Sequence, residues 1–451
     1  MLKIAAGIVG LLLVWLTFMS RKHPGIALGL VWCLYAMEQV LQAGFSFFVA
    51  RGSLINISVF GVACFATLTV ALRTKMFSGI RMPREALCAL LLFLLVVCSV
   101  VWAPVPANSF RRLKDVAPYL LQFLILAPLC VLHRDQLEKA INVLVYFGLF
   151  VLIGLALCPI INRGIVIDAG SSRTQRLDAN PLAVSSFAGY VILAAVFKIY
   201  GVKTKNKMRL LLHAAIVALG LFVLARSGSR GQVVAVVISL VIWLPVTARV
   251  AANRSSVLAF GTVFMVCGAL YYFVSNGADV GRWQSHHLEN HTVGRLDGAF
   301  RLLQFWYDAG PVYWLIGLGS SASWDTVGGY PHVVPLEVIG EHGILGFGIF
   351  TAFCMATAFG GWSVLRQDNL EVGDRVNLGL VLALCTFQFA LSFKQGSLIG
   401  SPALFGYGIT AGWFSVYLKK EARKNQYRGV QSMVMRDAYG RELLGTSEYR
   451  R

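Results

Sequence analysis

A chain of 451 residues that is 57% hydrophobic and only 14% charged, with a mean hydropathy of +0.68, is not a soluble globular domain. The net charge of +19 would suit nucleic acid. In a chain this apolar, however, Lys and Arg first serve to hold loops on the cytoplasmic side of a membrane, and no nucleic-acid-binding module is visible.

Apolar runs of about 17 to 22 residues, the length of helix that crosses a hydrocarbon core of about 30 Å, recur throughout. In order they are Ile4 to Met19, Gly25 to Phe48, Leu54 to Leu72, Ala86 to Trp102, Val116 to Leu132, Ala140 to Cys158 and Ala183 to Tyr200. Leu210 to Leu224, Gln232 to Ala248, Val257 to Val274, Ile339 to Leu365, Val376 to Phe393 and Pro402 to Leu418 follow. The fold expected is an all-α, polytopic membrane bundle of about 12 to 13 transmembrane helices. The first run is read as a helix and not a signal peptide, because Lys3 is a thin basic region and Arg21-Lys22 stand where small residues would mark cleavage.

Loop charge sets the orientation. Arg21-Lys22, Arg73 to Arg84, Lys203 to Arg209, Arg249 to Arg254 and the tail from Lys419 fall on one side and are basic, which assigns that side to the cytoplasm. The opposite, periplasmic side then carries the long loop at about 275–334, within a transmembrane unit spanning 1–418. The basic stretch 419–451 lacks apolar periodicity and is expected to be a disordered cytoplasmic tail. In the long loop Leu296, Ala299, Phe300, Leu303 and Trp306 have the spacing of an amphipathic helix, with Thr292 as its cap. Ile316 to Ala322 reads as a small-residue turn that brings the chain back toward His332.

The periplasmic side also collects arginines, against the positive-inside bias. Arg173 and Arg176 precede Asn180-Pro181, Arg230 lies in Ser227-Gly228-Ser229-Arg230-Gly231, and Arg295 and Arg301 lie in the long loop. Snorkelling to lipid phosphates explains any one of them. Several together favour a bound phosphate group, which a guanidinium fork and Gly/Ser backbone N–H groups suit. His332 stands at the entrance of the next helix, where a neutral imidazole can act as a base or merely cap the helix. Glu337 and Glu341, four apart, share a helix face near the boundary and call for a partner, most simply an outer arginine. Gly343 and Gly346 allow close approach of a neighbouring helix. There is no Walker motif, and no His-rich or Cys-rich metal cluster; the nine cysteines lie in or at the ends of apolar runs. Neither a metal nor another cofactor is expected.

With these residues placed, the pattern resembles the bacterial O-antigen ligase and O-antigen polymerase family. These are multi-span inner-membrane glycosyltransferases that use undecaprenyl-diphosphate-linked glycans. The ligase signature is His, then Asn, Ser or Gln, nine residues, Gly, two residues, and Gly, Thr or Tyr. Here His332-Val333 is followed by nine residues, Gly343, Ile344-Leu345 and Gly346. Arg173 seven residues before Asn180-Pro181, Ser229-Arg230-Gly231, and Arg295 or Arg301 ahead of Trp306 and Gly317-Leu318-Gly319 are similar to the family as well. The resemblance implies a metal-independent, inverting transfer at the periplasmic face of the bacterial inner membrane. Arg173, Arg176, Arg230 and Arg295 or Arg301 would bind the diphosphate. His332 would be the base, supported by Glu337, Glu341, Gly343 and Gly346. Implied partners are an undecaprenyl-diphosphate-linked glycan, a glycan or lipid acceptor, and the bilayer. Val333 departs from the ligase signature, which favours a polymerase of surface polysaccharide over a ligase acting on lipid A-core or protein; a polysaccharide transporter without chemistry ranks third.

Overall fold

The computed structural model describes residues 1–74, 82–131, 133–158, 181–201, 207–227, 229–248 and 285–445, with the isolated Gly261 and Gly268. Among the described residues there is no strand, and ten helices are long and apolar enough to cross a membrane. The protein is an all-α polytopic bundle. Its helices are α1 (Leu2–Ser20), α2 (Gly25–Gly44), α3 (Gly52–Thr74), α4 (Arg84–Cys98) and α5 (Pro106–Leu120). Next come α6 (Arg134–Leu157), α7 (Pro181–Gly201), α8 (Lys207–Arg226) and α9 (Arg230–Ala248). The loop-borne helices are α10 (Ser285–Asp308), α11 (Pro311–Ile316) and α12 (Ala322–Val327), and the last three are α13 (Val334–Leu365), α14 (Val372–Leu391) and α15 (Pro402–Gly445). The run expected at Val257 to Val274 lies outside the described residues.

Burial explains why all these segments are apolar although only some form the core. In α2, α7 and α14 most residues are buried, Leu28, Leu30, Leu34, Phe197 and Phe387 among them. By contrast α1, α3, α4 and α8 leave Leu11, Leu68, Leu94 and Leu211 exposed, each by more than half. An exposed apolar stripe on several sides of a bundle is unfavourable in water and is what acyl chains cover.

Two helices carry π turns. The helix of α5 continues through a π turn at Leu121–Leu126, just after Pro118, which has no N–H to give to the helical ladder. A second π turn, Val143–Phe147, lies inside α6.

Two sequence expectations change. Thr292 is not a cap, because α10 begins at Ser285 and Thr292 lies within it; the buried face there is Ala299 and Leu302, whereas Leu296 and Phe300 are exposed. The stretch expected as a disordered tail continues α15 as helix to Gly445, in keeping with its Lys, Glu, Arg, Gln, Met and Leu content.

The bundle has two distinct ends. At one, charged side chains from separate helices pair: Arg134 with Glu371 and, at 3.0 Å, Asp374; Lys198 with Glu138 at 3.5 Å. The His23 ring meets Lys139 there at 2.8 Å, and burial, then Lys139 and Lys22, hold its pKa below the ordinary value. At the other end the helices are joined through loop backbone, and His332, Glu337, Glu341 and Arg230 lie there.

Candidate functional site

The loop end is organised by a break in α13. Gly343 has φ 65° and ψ −166°, a conformation open essentially to glycine alone. The break releases carbonyls that an unbroken helix would bond internally. Gly340 O accepts from Leu318 N–H at 3.0 Å, and Glu341 O accepts from Gly319 N–H at 2.9 Å. The turn that supplies these donors has Gly317 at φ 77° and Ser321 at φ 59°. A methyl carbon at Gly343 would overlap the Leu315 carbonyl, and one at Gly317 would overlap the backbone of Glu341 and His342. The small-residue turn therefore does fold the chain back onto α13, and it is locked there. Trp102 Nε1 donates to Gly317 O at 3.2 Å, and Ser109 Oγ to Ser320 O at 2.6 Å, so the extension of α4 and the start of α5 fix it from outside.

The two carboxylates are held by this scaffold. Glu341, 3% exposed, accepts from Ser321 N–H at 2.9 Å, Ser323 N–H at 3.1 Å and Ser323 Oγ at 2.6 Å, which makes it the cap of α12. Glu337, 1% exposed, accepts from Leu398 N–H at 3.0 Å. Among the described residues neither carboxylate forms an ion pair. Among the described residues their partners are not arginines: backbone N–H groups of the turn and of the 392–401 connection, with the Ser323 hydroxyl, bond both oxygens of Glu341 and Oε1 of Glu337. Glu337 Oε2 is buried with no hydrogen-bond partner among those residues.

His332 is exposed, between buried Pro331 and Val333, and has φ 59°, a left-handed conformation uncommon for a non-glycine residue. Val334 N–H donates to Ser392 O at 2.8 Å, which anchors the next residues, and Pro335 occupies the first turn of α13 as expected. Gly346 gives room to its own helix: a methyl carbon there would overlap the Cβ of His342 and lie 3.5 Å from Leu95. The buried His342 ring lies 3.4 Å from Ser99 Oγ through Nδ1.

Arg230 is the first residue of α9 and is half-buried. Ser229 Oγ donates to Gln232 Oε1 at 2.6 Å, and Gln232 Nε2 donates to Gln395 Oε1 at 2.7 Å. A methyl carbon at Gly231 would meet the Lys394 side chain. One connection, 392–401, is thus bonded on one side to the start of α13, beside His332, and on the other to the start of α9, beside Arg230. Arg301 is elsewhere, exposed on α10 and paired with Asp297 of its own helix. Arg173 and Arg176 lie outside the described residues, as does the side chain of Arg295.

The structure adds residues that the sequence reading passed over. The Arg112 guanidinium lies 3.7 Å from the Trp324 ring centre, and Tyr330 meets Trp324 edge-on at 5.3 Å. Burial, then the charge of Glu337, push the Tyr330 phenol above its ordinary pKa, so it stays a hydrogen-bond donor two residues from His332. The joint packing of Arg112 and Tyr330 on Trp324 was not legible in the sequence. Among the described residues no three His, Cys, Asp or Glu side chains converge as a metal site would require. Against known proteins the chain matches no family model and no curated sequence.

Proposed function

We propose that the protein is a metal-independent, inverting glycosyltransferase of surface-polysaccharide formation in the bacterial inner membrane. Its substrate in this reading is a glycan on undecaprenyl diphosphate, and its working face is periplasmic. The observation that carries the reading is the shared 392–401 connection, which joins the helix start beside an exposed histidine to the helix start that bears Arg230. An acceptor hydroxyl gives its proton to His332 as its oxygen bonds to the anomeric carbon. The bond from that carbon to the diphosphate breaks, and the diphosphate departs with the electron pair. Arg230, with Arg173, Arg176 and the loop arginine Arg295, stabilises the charge that develops there. The imidazolium then returns its proton to water.

Val333 stands where the ligase signature has a polar residue, and it is buried, so it offers an acceptor no hydrogen bond. This favours polymerisation of lipid-linked units over ligation to another lipid or a protein.

The test is His332→Ala in cells, with surface glycan and the lipid-linked pool measured together. Loss of chain length with single units still attached is the expected result. Full-length glycan stranded on the carrier would assign a ligase instead, and both pools unchanged would remove His332 from the chemistry.

A further inference from the structure

At the same end of the bundle lies an open cleft of about 330 Å³ between α2, α7, α14, the start of α15 and the 392–401 connection. Its volume is at the lower end of the range, about 300 to 1,000 Å³, that small ligands fill. Trp32, Tyr35, Tyr190 and Tyr407 line it together with Ser186, Gln388 and Gln395, and among the described residues not one that lines it is charged. A lining without charge is poorly matched to an ion or a phosphate. One with two amide and three serine hydroxyl side chains is poorly matched to a hydrocarbon tail.

What such a lining matches is a neutral ring with two kinds of surface: C–H groups on its face, which pack on an aromatic ring, and hydroxyls at its edge, which both donate and accept. That describes a neutral pyranose.

The aromatic platform is made of packed rings. Tyr35, 42% exposed, is stacked on Tyr119 at 5.8 Å and on Phe123 at 6.2 Å with interplanar angles of 21° and 8°. The polar rim is ordered as well. Gln388 gives its amide N–H to the Tyr190 hydroxyl, and its amide oxygen accepts nothing from the described residues. Gln395 accepts from Gln232 at 2.7 Å. The roof is pinned by Ser392 O to Val334 N–H, and by Leu398 N–H to the buried Glu337 carboxylate. Glu337 is therefore a positioning residue for the cleft.

We propose that this cleft is a carbohydrate subsite that takes a neutral sugar ring of the glycan being extended. The assignment of that sugar to a glycan substrate rests on the transferase reading above. Its position fits, because the connection that roofs the cleft is the one bonded beside His332 and beside Arg230.

The experiment uses the full chain in phosphatidylcholine nanodiscs, free of glycosidic detergent, and saturation-transfer difference NMR with maltotriose, chitotriose and mannotriose. Transfer to ring C–H protons of at least one of the three is expected. Tyr35→Ala and Gln388→Leu should each weaken it by about fivefold or more, the loss of one stacking or one hydrogen-bonding contact. Tyr35→Trp, which keeps a ring, retains the signal, as do His332→Ala and Arg230→Gln, which leave the cleft intact. Thermal unfolding of each variant confirms that it is folded. No transfer from any of the three sugars, full transfer in both cleft variants, or displacement of the sugar by farnesol would each overturn the proposal. Sugar binding that stands while His332→Ala leaves both glycan pools unchanged supports the cleft and rejects the chemistry proposed at His332.

Discussion

The two ends of the bundle solve the same problem, joining helices across a water boundary, by different means. One end uses charges in pairs, Arg134 with Glu371 and Asp374, Lys198 with Glu138. The other buries two carboxylates, Glu337 and Glu341, and bonds them to backbone N–H groups of loops. Cations near the loop end are held by neutral partners: Arg112 by a Trp324 face, Arg111 by the Asn108 amide oxygen, Arg226 by the Ala156 carbonyl. A cation held by a neutral group keeps its net charge for a ligand, whereas one in an ion pair has spent it. The difference separates an end whose charges neutralise one another from an end whose named cations keep theirs.

Substitutions ranked by expected cost test this contrast. The largest effect is expected of Gly343→Ala, because the break in α13 needs a glycine conformation and the space is already filled by Leu315. Strain and overpacking together should cost about 2 to 6 kcal/mol. Thermal unfolding of the purified protein should show a large drop or no folded material, and a wild-type midpoint would mean that the break is not needed.

Glu341→Ala comes next. It strands the buried N–H groups of Ser321 and Ser323, at about 1 to 3 kcal/mol each. Glu341→Gln, which keeps one acceptor oxygen, should cost about half as much. Equal midpoints for the two variants would show that acceptor count is not what holds α12.

At the opposite end Arg134→Gln should cost only about 1 kcal/mol, since its side chain is 35% exposed and pairs of this kind are screened. The loss should shrink further in high salt. A cost above that of Glu341→Ala would reverse the contrast between the ends.

The smallest effect is expected of Arg301→Ala, which removes an exposed pair within one helix, worth less than about 0.5 kcal/mol. If glycan assembly fails in that variant with its unfolding midpoint unchanged, Arg301 belongs to the site and acts from another position of α10.

How far the site was legible depends on the kind of interaction. Glu337 and Glu341 were visible as a pair on one helix, because a four-residue spacing fixes a shared face. Their partners were expected among the outer arginines, and among the described residues they are N–H groups 18 to 61 residues away in the chain. Gly343 reads alike in a sequence whether it lets a helix approach or breaks its own; only its φ decides. The Arg112, Trp324 and Tyr330 stack joins residues more than 200 positions apart, and no local pattern announces it.

By itself the sequence determined the class of the molecule and the extents of most of its helices. Each span must satisfy its own backbone inside a hydrocarbon layer and present apolar side chains to it, a requirement local enough to be written into consecutive residues. The tertiary structure alone decided that α13 breaks at Gly343, that the freed carbonyls and buried carboxylates are taken up by the turn at Gly317 to Ser323 and by the 392–401 connection, and that an uncharged aromatic cleft opens beside them. Those features come from hydrogen-bonding groups of distant segments that meet only when the bundle closes, and spacing along the chain carries no record of that meeting.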